Sequence, residues 1–231
     1  MKTIGVLGGI GPQATMDFVA RIHRVAQRLL PQHANEGYPP LVSVYMRYPP
    51  VTVDADGRPV SPLVLAPRLL GDARKLGAWA DVIAIPSNTP HLFLDRIRNA
   101  AGCEIVSIVD VTVDALQARG AEDVGLLGLR IPQIYAERLP AEGLNVITAS
   151  EPARNALDRA ILRLMEGVED DAGRAAACRA VEETREAGAE TTVLGCTEIP
   201  LLLGDEAGAE DLINPAQLLA EAVVKFAVGG P

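Results

Sequence analysis

The chain has 231 residues, of which 48% are hydrophobic, 22% are charged and only 3% are aromatic. This length fits one large domain or two units of about 100 residues each, and the composition predicts a core of aliphatic side chains. The formal net charge of −9 argues against nucleic acids and anionic membranes as partners, because both attract basic surfaces. An acidic small substrate stays compatible, since it responds to the local field of a cleft.

The cysteines indicate a reducing compartment. Cys103, Cys178 and Cys196 have no short paired spacing, so we expect neither a disulfide framework nor a metal site. The apolar run at residues 4–10 is short and glycine-rich, and it lacks the cleavage site of a signal peptide. No stretch reaches the length of a membrane span. We therefore expect a soluble, cytoplasmic protein.

Short apolar runs alternate with helical patterns along the chain. Five residues recur at steps of four and three and mark one face of a first helix, Thr15, Val19, Ile22, Ala26 and Leu29. The predicted strands are, in chain order, residues 3–7, 41–46, 82–85, 105–108, 124–127, 144–147 and 191–194. Further helical patterns span residues 153–165, 174–187 and 215–226. This alternation predicts an α/β fold of parallel sheets with right-handed crossovers.

The sequence also repeats internally. Residues 4–8 (IGVLG), followed by Pro-Gln at 12–13, return as residues 124–128 (VGLLG), followed by Pro-Gln at 132–133. Residues 80–88 (ADVIAIPSN) return in the same order as residues 189–197 (AETTVLGCT). Chance similarity between two strand–turn–helix segments is the alternative.

We predict a duplicated architecture whose two similar parallel-sheet units are related by pseudo-twofold symmetry, with the active site between them. The N-terminal unit comprises residues 1–110 and is completed by a C-terminal helix within residues 211–231. The second unit comprises residues 111–210.

Two matching loops carry the candidate catalytic side chains, Cys196 and Ser87. In parallel α/β sheets, ligands bind beyond the carboxyl ends of the strands, where loops lead into helix N-termini. A helix N-terminus lowers a thiol pKa from about 8.5 towards neutrality, so we expect a thiolate at Cys196; a small buried hydrophobic residue is the alternative. For Ser87 the alternative is a helix N-cap.

Together the two side chains suit stereoinversion. If the two side chains lie on opposite faces of one substrate carbon, one of them would remove the Cα proton and the other would return a proton. A hydroxyl is a weaker base than a thiolate, so the pair formed by Ser87 and Cys196 is unequal.

The glycine-rich turn at residues 8–12 (GGIGP) is a candidate binding element. Its spacing differs from the dinucleotide motif G-x-G-x-x-G, and Pro12 lacks the N–H that a phosphate would bind. Close approach of a small carboxylate to the backbone at Gly9 and Ile10 fits better, with a purely structural turn as the alternative. His91 and Glu198 are either local hydrogen-bond partners that brace their loops or titrating groups.

Four segments resemble the aspartate/glutamate racemase family. GGIGPQAT at 8–15 resembles the family's GGMGP-x-AT opening, SNTPH at 87–91 its CNTAH motif, GCTEI at 195–199 its GCTE(I/V) motif, and INP at 213–215 the opening of its last helix. The resemblance spans nearly the whole chain in order. It implies two four-stranded parallel units, a homodimer, and racemisation of an amino-acid or small carboxylate substrate without pyridoxal phosphate, metal or other cofactor.

The same resemblance implies roles for individual residues. Cys196 is one acid/base residue, and Ser87 stands where the family has its other catalytic cysteine. Asn88 and Thr89 bind the substrate carboxylate, and Thr197 is a further substrate-binding residue.

Positions that bind a side-chain carboxylate in the family differ in this chain. The family arginine after the second strand falls at Val53 in an ungapped reading, with Arg47 and Arg58 as nearby alternatives. A family lysine is replaced by Glu169. The threonine-rich turn after the fifth strand becomes Gly-Leu-Arg, so Arg130 is either a replacement anion-binding residue or a solvated surface arginine.

Three functions remain open, and the sequence favours the first. One is a racemase, which predicts exchange of the Cα proton with solvent deuterium. The second is a single-cysteine decarboxylase of the same superfamily, which protonates an enediolate on one face. The third is a catalytically inactive homologue that binds a small carboxylate without proton exchange.

Overall fold

A computed structural model describes residues 1–34, 36–55 and 60–229. The first elements in chain order are β1 (Ile4–Gly8), α1 (Pro12–Leu29), β2 (Leu41–Tyr45), α2 (Pro67–Gly77), β3 (Val82–Ala84), a 3-10 helix (Thr89–Phe93), α3 (Leu94–Ala101) and β4 (Glu104–Val106). They are followed by α4 (Ile108–Arg119), β5 (Asp123–Leu127), α5 (Gln133–Ala141), β6 (Asn145–Ile147), α6 (Glu151–Met165) and α7 (Asp171–Glu186). The last are β7 (Thr191–Leu194), α8 (Ile199–Leu203), a second 3-10 helix (Gly204–Gly208), β8 (Leu212–Ile213) and α9 (Pro215–Val228).

The strands form two four-stranded sheets with the same topology. Their orders are β2-β1-β3-β4 and β6-β5-β7-β8, and the pairs in both sheets are parallel. The predicted α/β class with parallel sheets is therefore confirmed. The sequence patterns missed β8, because a strand of two residues is too short to show a period.

The chain divides into two compact units, Met1–Ile108 with Ala216–Pro231, and Val109–Pro215. The second unit extends past the predicted boundary at residue 210, because β8 pairs with β7. In the first unit, α9 lies beside α1, where Arg21 Nη1 donates to Gln217 Oε1 at 3.0 Å. The backbone N–H of Lys2 also donates to the carbonyl of Ala227 at 2.8 Å.

The internal repeat has a structural basis at the amino ends of the central strands. The Asp81 carboxylate, just before β3, accepts a hydrogen bond from the backbone N–H of Thr3 at 2.6 Å. The Glu190 carboxylate, just before β7, accepts from the N–H groups of Glu122 and Asp123 at 2.7 and 3.3 Å. In both units, an acidic residue thus satisfies backbone donors at the start of the neighbouring central strand.

The repeated glycines mark close approaches of the backbone. A β-carbon at Gly5 would lie 2.7 Å from Ala80 Cβ, and one at Gly125 would collide with the Thr192 side chain. Similarly, one at Gly8 would collide with Thr15. Since these positions sit on or at the end of the central strands, packing against them requires a residue without a side chain.

The periodic pattern predicted the buried face of helix α1 only in part. Its buried residues are Ala14, Thr15, Phe18, Ile22, Val25 and Ala26. The predicted face correctly included Thr15, Ile22 and Ala26. Leu29 was wrongly included, because it lies at the last turn and is 45% exposed.

Candidate active site

The chemistry-bearing loops lie at the switch points of the two sheets. In the first sheet, the chain runs from β1 to the edge strand β2 and then crosses back to β3 on the other side of β1. In the second sheet, it runs from β5 to β6 and crosses back to β7 in the same way. The switch points therefore lie between β1 and β3 and between β5 and β7. Loops at the carboxyl ends of two such strands diverge and leave a crevice that binds ligands. The loops after β1 and β3 carry Gly9 and Ser87, and those after β5 and β7 carry Arg130 and Cys196.

In the first unit, Thr15 fixes the glycine-rich turn after β1. Its buried hydroxyl accepts from the Gly9 N–H and donates to the Gly11 carbonyl, both at 2.8 Å. Gly9 has φ +81°, and a β-carbon there would lie 2.5 Å from the backbone N and O of Met46. A side chain is thus excluded at Gly9 by conformation and by space. The neighbouring Ile10 is partly exposed.

Ser87 lies in a tight turn held by His91. The Ser87 N–H donates to the Ile85 carbonyl at 2.8 Å, and the Ser87 carbonyl lies 2.9 Å from His91 Nδ1. The Ile108 N–H donates to His91 Nε2 at 3.3 Å. Because Nε2 accepts a hydrogen bond, the proton of a neutral ring resides on Nδ1 and points at Ser87 O. His91 is therefore a brace for this loop.

The alternative role for Ser87, a helix N-cap, is wrong. The 3-10 helix has Asn88 at its N-cap, and no side chain caps it. Ser87, Asn88 and Thr89 are all partly exposed, and the Ser87 hydroxyl forms no hydrogen bond within the part of the chain that the structure describes. Its hydroxyl is thus available to a ligand, whereas no neighbouring side chain activates it as a base.

Arg47 lies at the end of β2, after the buried Met46, and is exposed. The next residue, Tyr48, donates from its hydroxyl to Asp72 Oδ2 at 2.6 Å, which ties this loop to α2. Arg58 falls outside the described residues.

In the second unit, Cys196 contacts a carboxylate. Its thiol donates to Glu198 Oε2 at 3.0 Å, and the Thr197 hydroxyl donates to the same oxygen at 3.2 Å. Glu198 is 4% exposed and Thr197 is 7% exposed, whereas Cys196 keeps some exposed surface. A thiol and a hydroxyl therefore share one buried carboxylate oxygen.

The expected low thiol pKa at Cys196 is wrong. Desolvation by the surrounding protein, and then the negative charge and hydrogen bond of Glu198, raise the pKa of the thiol well above its ordinary value. Backbone N–H groups of Glu198 and Leu129 act in the opposite direction but are weaker. The raised pKa favours the protonated thiol of Cys196 near neutral pH.

The two loops of the second unit are packed tightly together. The Gly195 N–H donates to the Leu127 carbonyl at 2.6 Å. A β-carbon at Gly195 would lie 2.7 Å from that carbonyl oxygen and 3.1 Å from Pro132 Cγ, and one at Gly128 would collide with the Pro132 ring. This packing fixes the turn after β5 against the thiol loop.

Arg130 follows that turn and is exposed. It has φ +55°, and its backbone N–H donates to Asp158 Oδ1 at 2.7 Å. The sequence singled out Arg130 by position, but it could not reveal the left-handed backbone or the contact with α6.

Other kinds of site find no support in the described residues. No group of three or more His, Cys, Asp or Glu among them could hold a metal ion. None of the described helices is long and apolar enough to cross a membrane. Ser87 belongs to the first unit and Cys196 to the second, and their opposition across one substrate carbon stays a prediction.

The fold and these loops define a parallel α/β protein with a thiol–carboxylate pair at the switch point of one sheet. A sequence model of the Asp/Glu/Hydantoin racemase family matches residues 7–223. The chain belongs to that family.

Individual relatives agree with this assignment. The chain is 28% identical over 147 residues to the broad specificity amino-acid racemase RacX of Bacillus subtilis, and the match covers 62% of this chain and 63% of that protein, less than two thirds of its length. The structure of an aspartate racemase homologue from Pyrococcus horikoshii is 26% identical, with a TM-score of 0.78 over 99% of this chain and 100% of that one. An aspartate racemase from Picrophilus torridus, at 18% identity, has the same fold, with a TM-score of 0.76 over 99% and 95% of the two chains.

Proposed function

We propose that the protein is an amino-acid racemase that inverts the α-carbon by proton transfer through side chains, with Cys196 as the acid/base residue on one face. Family membership and racemase relatives support the reaction class. The observation that carries the mechanism is the contact between the Cys196 thiol and the Glu198 carboxylate at 3.0 Å.

In this mechanism, Glu198 takes the thiol proton when the substrate is bound. The resulting thiolate accepts hydrogen bonds from the backbone N–H groups of Glu198 and Leu129 and then removes the Cα proton, which becomes the new thiol proton. The Thr197 hydroxyl holds the Glu198 oxygen in place. A base that is generated only in the complex explains how a thiol with a raised pKa can act near neutral pH.

On the other face, Ser87 supplies the returning proton. Its hydroxyl has no base among the described residues, so it relays a proton from water more readily than it removes one from carbon. Proton transfer by the Ser87 position is therefore the slower half of the reaction, and turnover favours one enantiomer. Asn88, Thr89 and the turn at Gly9 and Ile10 bind the substrate carboxylate beside Ser87.

The test is solvent exchange at Cα. A panel of L- and D-amino acids is incubated in deuterated buffer, and loss of the Hα signal and the appearance of the other enantiomer are followed by NMR and chiral chromatography. Cys196→Ala is expected to lose exchange by about 10²- to 10⁴-fold, which is the usual contribution of an acid/base group. Ser87→Cys is expected to gain two-way racemisation by about 10²-fold. Full exchange in Cys196→Ala would contradict the assignment.

The unequal pair also suits one-sided protonation. Because only Cys196 has an activating carboxylate in its loop, the site could protonate an enediolate formed by loss of carbon dioxide from a disubstituted malonate. Carbon dioxide release without Cα exchange of any amino acid would favour this decarboxylase. Binding of a small carboxylate without either reaction would indicate an inactive homologue.

A further inference from the structure

The backbone N–H of Arg130 has an acceptor of its own. Arg130 has φ +55°, in the left-handed region that arginine seldom occupies. The Asp158 carboxylate accepts the Arg130 N–H at 2.7 Å, and within the described residues the Asp158 side chain forms no other hydrogen bond or ion pair. A charge-assisted hydrogen bond is roughly twice as strong as a neutral one, so this contact stabilises a backbone conformation that arginine alone disfavours.

Asp158 is itself held on a well-packed support. It lies in the middle of α6, a helix of 15 residues, and the side chain of its N-cap residue Ser150 accepts the Ala153 N–H. The neighbouring Leu157 and Ile161 are fully buried. Because close-packed side chains fix the position of a helix against its core, the Asp158 carboxylate can fix the direction of the N–H that it accepts.

The turn that receives this contact also borders Cys196. The Gly195 N–H, in the residue before Cys196, donates to the Leu127 carbonyl at 2.6 Å. The backbone N–H of Leu129 favours the Cys196 thiolate, and so opposes the rise in the thiol pKa that desolvation causes. Only the two soft backbone torsions of Leu129 separate its N–H from that of Arg130, since each peptide unit is planar. A restraint on the Arg130 N–H therefore also restricts the direction of the Leu129 N–H.

We propose that Asp158 is a positioning residue for the Cys196 thiolate. By accepting the Arg130 N–H, it holds the turn after β5 in the conformation that directs the Leu129 N–H at the sulfur. Asp158 acts through the backbone and not on the reacting atoms. Its importance for turnover rests on the proposed function, in which Cys196 is the acid/base residue.

The charge of Asp158 and its hydrogen bond have opposite effects on Cys196. Removal of a nearby carboxylate favours a thiolate, because it removes a negative charge. Loss of the Leu129 N–H disfavours a thiolate, because it removes a hydrogen bond to the charged form. The direction of the change in Asp158→Ala therefore separates the positioning role from a purely electrostatic one.

The test is alkylation of Cys196 by iodoacetamide as a function of pH, with each cysteine followed by peptide mass spectrometry. In Asp158→Ala, the pH of half-maximal rate is expected to shift upwards, and the rate near neutral pH to fall by about 3- to 10-fold. Asp158→Asn removes the same charge but keeps an oxygen that can accept the Arg130 N–H, so its rate should stay close to that of the parent. Glu151→Ala is the matched control, since it removes a carboxylate from the first turn of the same helix; it should leave the rate unchanged.

A pair of substitutions at Arg130 tests the backbone directly. In the Asp158→Ala background, Arg130→Gly and Arg130→Ala remove the same side-chain charge, but only glycine occupies the left-handed region without strain. Cys196 should be alkylated faster in the glycine variant, by about threefold or more. In the folded protein, a rate in Asp158→Ala equal to or above that of the parent, or equal rates in the two Arg130 variants, overturns the proposal.

Cys178 is the internal reference for folding, because it lies in the same unit as Cys196 and its alkylation should not respond to Asp158. If Asp158→Ala unfolds the unit, both cysteines react faster, and Arg130→Gly and Arg130→Ala in the parent background then decide by the same comparison. If no amino acid exchanges its Cα proton but these alkylation rates follow the expected order, the racemase assignment fails while the positioning role stands.

Discussion

Replacing Glu198 with glutamine should make Cys196 more reactive towards an alkylating agent and less active as a catalyst. In the parent protein, the thiol donates to Glu198 Oε2 at 3.0 Å, and the carboxylate contributes to raising the pKa of Cys196. The Glu198→Gln change removes this negative charge but keeps the size of the side chain. It also removes the group that takes the thiol proton in the proposed mechanism, so the two measured activities should change in opposite directions.

The magnitude follows from the contact. Two unit charges about 4 Å apart interact by about 1 kcal/mol in water and about 4 kcal/mol near a protein surface. Removing the carboxylate should therefore stabilise the thiolate by about 1–4 kcal/mol and lower the pKa of the Cys196 thiol. A lower thiol pKa increases the fraction of thiolate but makes each thiolate less nucleophilic, and this loss is about half of the gain in logarithmic terms. The alkylation rate near neutral pH should therefore rise by about 3- to 30-fold.

The assay is alkylation with iodoacetamide as a function of pH, followed for each cysteine by peptide mass spectrometry. The chain offers an internal control, since the Cys178 thiol donates to Glu206 Oε2, also at 3.0 Å. Glu206→Gln should accelerate alkylation of Cys178 and leave Cys196 unchanged. An unchanged or slower rate at Cys196 in Glu198→Gln would refute the electrostatic reasoning, and unchanged Cα exchange in that variant would refute the role of Glu198 as proton acceptor.

Two further predictions concern the loops that follow β1 and β3 in the first unit. Gly9→Ala places a β-carbon 2.5 Å from the Met46 backbone at φ +81°, so urea denaturation should show a loss of about 2–5 kcal/mol in the free energy of unfolding; a loss below about 1 kcal/mol would contradict the described turn. His91→Ala removes two hydrogen bonds, to Ser87 O and from Ile108 N, and should cost about 2–4 kcal/mol in the same measurement. Because His91 orients the Ser87 loop, its loss should also lower the two-way racemisation of Ser87→Cys, whereas an unaltered rate would show that the brace is dispensable.

The sequence predicted which segments form strands better than it predicted where each strand ends. The strand at residues 191–194 coincides with β7 (Thr191–Leu194), since four buried aliphatic and threonine residues are bounded by clear turns. By contrast, the predicted strand at residues 105–108 ends at Val106, and α4 already begins at Ile108. An apolar run that continues from a strand into a buried helix shows no change of period, so its boundary is not visible in the pattern.

Several helices were missed for a related reason. Helix α2 (Pro67–Gly77) has only three buried residues, Leu69, Ala73 and Leu76, among charged and small neighbours. Three contacts on one face are enough for packing against a sheet, but they are too few to stand out as a period in the sequence.

For the candidate site, the sequence located the loops but not their electrostatics. Cys196 was correctly placed at the carboxyl end of a strand, because parallel strands of an α/β fold present their following loops at one edge. Its pKa was predicted in the wrong direction, since a contact between a thiol and a carboxylate two residues later depends on side-chain orientation, which spacing does not determine. The left-handed backbone of Arg130 was also invisible, because arginine rarely adopts a positive φ and its presence in a turn does not indicate one.

The position of α9 has a consequence for the order in which the protein can fold. The residues that complete the first unit, Ala216–Pro231, are synthesised after the whole of the second unit, which is continuous from Val109 to Pro215. During translation, α1 lacks its neighbour α9, so Arg21 and Arg28 cannot contact Gln217 and Glu221 until those two residues have been synthesised. The second unit is therefore expected to reach its native state on the ribosome first, and ribosome-bound chains that stop before residue 216 should resist protease in residues 109–215 but be cut within residues 1–108.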